Sequence, residues 1–386
     1  MSFMVEEFAG APDTPDARRY NRLSRRVSFA DAAVALLFMA LLLLTGWTGN
    51  YRDFAHRVSG QDSNILSLLI YVSLLVLSLK ALSLPLDLYG FRLEHHYHLS
   101  NQSFGAWSWD QAKALLVGLV LSVAMAELFY YLVRQQPQWW WIWSWAAFMV
   151  VTVLFAHIAP VVFFPIFYTF HSLKNEALRN RLTRLSEKAG TRVRGVYEWF
   201  LSEKSRKANA ALMGLGRTRR IVISDTLLAA CNDDEVEAVL AHELGHHVHR
   251  HILKGILMQA LISFIGFWGF KIVVRWADMD PHPWLAHYHQ TDFANLPLIV
   301  LAATAMSLLL LPFLNALSRY HEGQADRYAF KSIAAVEPFI SAMDKMAAQN
   351  LSERHPPHWV ELLFLSHPPV SRRIEAAERW AARHRA

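Results

Sequence analysis

The chain has a single cysteine, Cys231, in 386 residues. No disulfide can form within it, and such usage suits a reducing compartment. Asp, Glu, Lys and Arg are missing altogether from residues 139–170, which excludes an ordinary surface element there. Internal repeats and low-complexity tracts are also absent. No basic stripe interleaved with aromatics is found, which argues against a nucleic-acid partner despite a net charge of +6. What is abundant is apolar sequence, 54% of the chain at a mean hydropathy of +0.18. It falls in blocks: 32–51, 63–79 leading through Lys80 to Leu86, 114–133 broken only by Glu127, 139–170, 255–270 and 293–318. A bilayer core about 30 Å thick needs about 20 apolar residues in a helix, so six spans are predicted. One run alone is also compatible with a buried helix of a large soluble protein; six together exclude that reading.

Charge outside the runs is lopsided. Arg18, Arg19, Arg22, Arg25 and Arg26 precede the first run, and 174–254 holds many more lysines and arginines. The intervening loops carry only Arg52 and Arg57, then Arg134, then Lys271 and Arg275. This asymmetry places the N-terminus, the 171–251 segment and the C-terminus in the cytoplasm. The first run lacks a small-residue cleavage site and reads as an anchor. Residues 1–31 are expected to be a loose polar leader, 32–170 a four-span domain, and 252–317 a two-span hairpin. A polar loop is expected over 90–110. Its His95, His96 and His98 lie beside no carboxylate cluster and are bystanders. Trp139, Trp140, Trp141, Trp143 and Trp145 mark a membrane–water boundary, and Pro160 and Pro165 kink or end that run. Lys80, Glu127 and His157 are ionisable groups inside spans, which face protein or water rather than lipid.

The chemistry is concentrated at His242-Glu243-Leu244-Gly245-His246. Residues four apart share one face of a helix, so two imidazoles can converge on one ion. Glu243, offset by one, is then the base that takes a proton from the attacking water. His247, His249 and His251 follow at once, and a merely histidine-rich surface helix is the plain alternative. Asn232 or Asp233, with Glu235, caps a helix over 234–250. Strands are predicted over 196–202 and 220–224, with a possible edge strand over 208–213, and a helix over 172–189. A catalytic zinc takes three protein ligands and keeps a fourth position open. Two crossings after the motif helix bring Glu322 back to the same membrane face, as third ligand. Asp326, one turn on, is placed to hydrogen-bond a ligand histidine.

These residues resemble the integral-membrane zinc proteases of the CAAX prenyl protease type 1 family. The likeness runs from about Ser63 onward. It rests on Phe91-Arg92-Leu93-Glu94, Asn209-Ala210 with Gly214, Arg220-Ile221-Val222, Asp225-Thr226-Leu227-Leu228, the 242–246 motif, Ser318-Arg319 with Glu322 and Ala325-Asp326, and Ser366-His367-Pro368-Pro369 leading to Arg373-Ile374. His355-Pro356-Pro357 has the same form without the following Arg-Ile. The resemblance implies a ring of helices enclosing a chamber, with a zincin-like α+β catalytic domain. It also implies that Asn209 lies on an edge strand that holds substrate, and that His367 and Arg373 steady the scissile carbonyl or its oxyanion. With six spans where studied eukaryotic members have seven, a bacterial inner membrane is favoured over the endoplasmic reticulum. The expected activity is zinc-dependent endoproteolysis of membrane-associated, lipidated or hydrophobic polypeptides. The alternatives are a heat-shock-type quality-control protease, a membrane chaperone keeping the zinc site, and a transporter. Cys231 is expected to be structural.

Overall fold

The computed structural model describes residues 13–60, 64–214, 216–279 and 290–384. Residues 1–12 of the expected leader, and Ser63 at the head of the second run, lie outside them. Helix α1 (Pro15–Leu44) starts with proline in its first turn, and the Thr14 hydroxyl accepts from the Ala17 amide. The leader is therefore helical from Pro15 onward: the arginines before the first run extend the helix into water instead of ending it. Gly46, at φ +74°, breaks the run that continues to Tyr51, because that left-handed turn suits glycine. The chain folds back into α2 (Trp47–Ser59). There the buried Thr48 hydroxyl meets the Tyr71 hydroxyl at 2.6 Å and the Ala294 carbonyl at 2.8 Å.

Helix α3 (Asn64–His96) carries Pro85 inside it and runs well past the end of the apolar sequence. The loop before α4 (Phe104–Gln135) is correspondingly shorter than the polar composition of 90–110 implies. Lys80 donates to Asp87 and Gln111, each at 2.6 Å, so this intramembrane charge faces protein. α5 (Trp140–Ile158) gives way at Pro160 to a π-helical turn (Ala159–Phe163), then to the short α6 (Phe164–Phe167) holding Pro165. Both prolines thus act where the sequence places them. Six helices among the described residues are long and apolar enough to cross a membrane. Leu68, Tyr71, Val72, Tyr130 and Phe293 form one core among them, Trp140 and Trp141 pack with Phe264 and Phe267 in another, and an apolar cavity of about 350 Å³ lies between Val72, Ala126, Phe129, Ser144 and Leu296.

The catalytic half holds one four-stranded sheet, ordered β1-β2-β4-β3. β1 (Phe170–Ser172), β2 (Val196–Trp199), β3 (Ala210–Met213) and β4 (Arg220–Ser224) are short. β2 and β4 pair in parallel, the other pairs antiparallel, and β3 forms an outer edge. Ile221, Val222 and Ile223 of β4 are fully buried, as expected of an interior strand. α7 (Glu176–Lys188) and α8 (Asp225–Ala230) flank the sheet. α9 (Asp233–Val248) carries the motif, and α10 (His251–Met279) follows as a span. α11 (Leu296–Ser332) is the last span and continues beyond it without a break. α12 (Glu337–Gln349), α13 (His358–Phe364) and α14 (Val370–His384) close the domain. Leu240, Leu244, Ile223, Phe330, Phe339 and Ile374 belong to one core beneath the motif helix.

Candidate metal centre

The motif helix is fixed at its start by a reciprocal cap. The Asn232 side chain accepts from the Glu235 amide at 3.0 Å, and the Glu235 carboxylate accepts from the Asn232 amide at 2.8 Å. Glu235 also binds Ser341 at 2.5 Å and Lys345 at 2.7 Å, which ties α9 to α12. Val236, Val239, Leu240 and Leu244 point into the core. This leaves His242, Glu243 and His246 on the face turned toward α11.

Gly245 explains how close the two helices come. A Cβ built on it would lie 2.7 Å from Ala325 Cα and 2.9 Å from the Ala325 carbonyl oxygen. Only a glycine permits such backbone contact. At that crossing Glu322 reaches the histidines. Its Oε2 lies 3.3 Å from His242 Nε2, its Oε1 lies 3.2 Å from His246 Nε2, and the two Nε2 atoms are 3.2 Å apart. Among the described residues this is the group of histidine, cysteine and carboxylate side chains that could hold a metal ion.

One donor atom from each of the three residues lies within 4.8 Å of the others, close enough to share a small divalent ion. An ion about 2.0–2.1 Å from each donor with tetrahedral angles implies donor separations of about 3.3 Å. Glu322 Oε2 is buried without a hydrogen bond; its neighbours His242 and His367 stand close but not in hydrogen-bonding geometry. The local electrostatics agree. Burial and the Arg373 guanidinium both push the His242 imidazolium down, yet the adjacent Asp326 and Glu322 carboxylates outweigh them and raise its pKa to about 9. Positive charge is favoured between these carboxylates, and a metal ion meets the same demand.

Behind His242 the support is charged. Asp326 Oδ1 lies 2.8 Å from His242 Nδ1. Arg373 grips the same carboxylate with two bonds, 3.0 Å from Nε and 2.7 Å from Nη2. Arg373 Nη2 is also 3.2 Å from His242 Nδ1. The guanidinium thus lies on the Asp326 side of the imidazole, opposite the edge that faces Glu322. His367 is 64% exposed, with Nδ1 3.0 Å from Glu322 Oε2, beside the triangle. Its loop is held by Arg319, which donates to the carbonyls of Glu361 and Leu365 at 2.8 and 2.6 Å, and by Asn315, which donates to that of Leu363 at 2.7 Å. Glu243 is half-buried, and among the described residues its carboxylate makes no hydrogen bond or ion pair.

Asn209 is exposed at the head of β3. Its backbone is locked to Ser224 by two bonds of 2.9 and 3.0 Å, which leaves the side chain free beside a pocket shared with Trp199, Lys204, Lys207 and Asn350. The structure thus brings His242, His246, Glu322, Asp326, His367 and Arg373 into one cluster, with Asn209 immediately ahead of the strand that edges the sheet. Cys231 makes no part of it; burial and the nearby Glu235 carboxylate push its thiol up to about 11. Nothing in the sequence singles out Arg319 as a strut, or His251, whose ring meets His246 from the far side.

A His-His-Glu cluster able to hold a metal, on helices that adjoin membrane-length apolar spans, is the pattern of an integral-membrane metallohydrolase. A family model described as peptidase family M48 matches residues 172–381, just over half of the chain, and a second, described as CAAX prenyl protease N-terminal, five membrane helices, matches 7–169. The chain belongs to peptidase family M48 and is a multi-pass membrane metallopeptidase. In the N-terminal region four helices are long enough to span, and the 13-residue α2 is not. The chain is 28% identical over 94% of its length, and 85% of the relative's, to the Bacillus subtilis uncharacterized metalloprotease YhfN. It is 27% identical to Saccharomyces cerevisiae CAAX prenyl protease 1, covering 84% of this chain and 74% of that one. Its fold matches the crystal structure of S. mikatae Ste24p with a TM-score of 0.83 at 22% identity, covering 97% and 93% of the two chains.

Proposed function

We propose that the chain is a zinc endopeptidase acting on membrane-associated polypeptides, with His242, His246 and Glu322 as the metal ligands. The observation that carries this reading is the convergence of two imidazole nitrogens 3.2 Å apart on the Glu322 carboxylate, one oxygen 3.3 Å from His242 and the other 3.2 Å from His246, which lets three residues offer donors to one zinc ion. Bound there, zinc supplies Lewis acidity toward a substrate carbonyl and lowers the pKa of water to about 7.

The chain's own residues do the rest. Glu243, unengaged by other side chains, takes the proton of the attacking water and delivers it to the departing amine. Asp326, clamped by Arg373, holds the His242 ring with Nδ1 protonated and Nε2 free to ligate. Arg373 therefore acts through Asp326 as a positioning residue, while exposed His367 stands where it steadies the scissile carbonyl or its oxyanion. Asn209 and the free edge of β3 hold the substrate backbone as an added strand. The relatives named CAAX prenyl protease, together with the membrane setting, favour lipidated or hydrophobic substrates. The basic residues around α1 and the catalytic domain favour a cytoplasmic site, in a bacterial inner membrane.

Cleavage of a quenched peptide by purified protein and by Glu243→Gln tests the assignment, with zinc content measured in both. The variant is expected to keep its metal and to lose about 10²–10⁴-fold in kcat. Equal activity removes Glu243 from the mechanism. Offering the peptide with and without a prenyl group tests the substrate class.

A further inference from the structure

Both ring nitrogens of His246 are engaged, only one of them by the triangle. Nδ1 lies 3.0 Å from Nδ1 of His251, the first residue of α10, which is 7% exposed. His251 Nε2 lies 3.0 Å from Gln324 Oε1, and Gln324 Nε2 lies 3.2 Å from the Tyr320 hydroxyl. The turn that sends His251 back to His246 is made by Arg250 at φ +55°, a left-handed conformation that side chains other than glycine rarely adopt. Gln324 sits on α11 between the ligand Glu322 and Asp326. The chain runs from the metal to the last span through three hydrogen-bonding groups in series.

We propose that His251, held by Gln324, is a positioning residue that sets the orientation and tautomer of His246, as Asp326 does for His242. This rests on the reading of His246 as a metal ligand. Protons then have one arrangement that satisfies every contact with neutral rings. A ligating Nε2 gives its lone pair to the metal, so His246 Nδ1 carries the hydrogen and donates. His251 Nδ1 must accept it. His251 Nε2 therefore carries its own hydrogen and donates to Gln324 Oε1, which leaves the Gln324 amide to donate to Tyr320. The two ligand histidines are thus supported differently, one by a carboxylate and the other by a neutral imidazole. With Glu322, Asp326 and Glu243 already crowding the site with negative charge, a neutral second support avoids adding a fourth carboxylate. A purely packing role is the competing account, because the His251 ring also stacks on His321 at 4.1 Å and 14°.

Zinc affinity separates the two. Full-length protein is stripped with a chelator and titrated with zinc against a chromophoric competitor, with folding checked by thermal unfolding. His251→Leu should bind zinc about 10–100-fold more weakly than wild type. His251→Asn places an acceptor oxygen where Nδ1 was and should recover most of that loss. His251→Gln reaches toward Gln324 but not His246, and should stay near His251→Leu. A His251→Asn no better than His251→Gln, or a His251→Leu with wild-type affinity, overturns the proposal. If His251→Leu fails to fold, the comparison of His251→Asn with His251→Gln decides alone. His246→Ala is the control: wild-type zinc binding there would sink the ligand assignment itself, a different failure from that of its support.

Discussion

α9 and α10 are consecutive helices with the same periodic placement of large apolar residues and opposite surroundings. In α9, Val236, Val239, Leu240 and Leu244 are buried at 4% exposure or less. In α10, Leu257, Leu261, Ile265, Trp268 and Ile272 recur at the same three-and-four spacing, each about half exposed. The first stripe meets protein and the second meets lipid. Periodicity therefore identifies a face, but not what covers it; run length supplies that. The polar residues follow the same division. α9 turns its histidines toward a partner helix, whereas α10 has no Asp, Glu, Lys or Arg from Gly255 to Phe270.

Substitutions along these two stripes test the contrast. Leu240→Ala should cost about 2–5 kcal/mol, because the sealed core cannot fill the cavity; denaturation in detergent measures it. Gly245→Ala forces a methyl against the Ala325 backbone and should cost about 1–3 kcal/mol, with metal lost at lower chelator concentration than in wild type. Leu261→Ala should cost under about 1 kcal/mol in the same assay, since lipid or detergent fills the gap. A cost for Leu261→Ala equal to that of Leu240→Ala would show that its stripe packs on protein. A last test, away from both stripes, concerns Cys231. Its pKa of about 11 lies above the ordinary thiol value, so less thiolate exists at pH 8 and the rate rises until pH passes 11. Alkylation at pH 8 should run about 100-fold slower than for an unperturbed thiol, as mass spectrometry can follow.

Much of this was legible in the sequence, and for identifiable reasons. The cap at Asn232 and Glu235, β4 at 220–224 and the spans are local patterns that their surroundings reinforce. The proposed third ligand was legible only through topology, since Glu322 is brought to the motif by two long helices rather than by spacing. What escaped was length and direction. The arginines ahead of the first run looked like loose sequence, yet helix propensity carries α1 out to Pro15. The polar stretch after residue 90 looked like loop, yet α3 persists to His96. β1 is too short for alternation to mark it. His251 was one of several histidines in a cluster; only the turn at Arg250 singles it out. The resemblance placed Arg373 near the metal, but not on the Asp326 side of His242, which depends on how α14 docks.

α11 has one more effect. Its 37 residues make a rod about 55 Å long, with one end among acyl chains and the other bearing Glu322. Pro312, ten residues ahead of that glutamate, removes a rung of the helix ladder and is its natural flexing point. A tilt of the embedded end would bend the helix there first, leaving the carboxylate pinned where Gly245 meets Ala325.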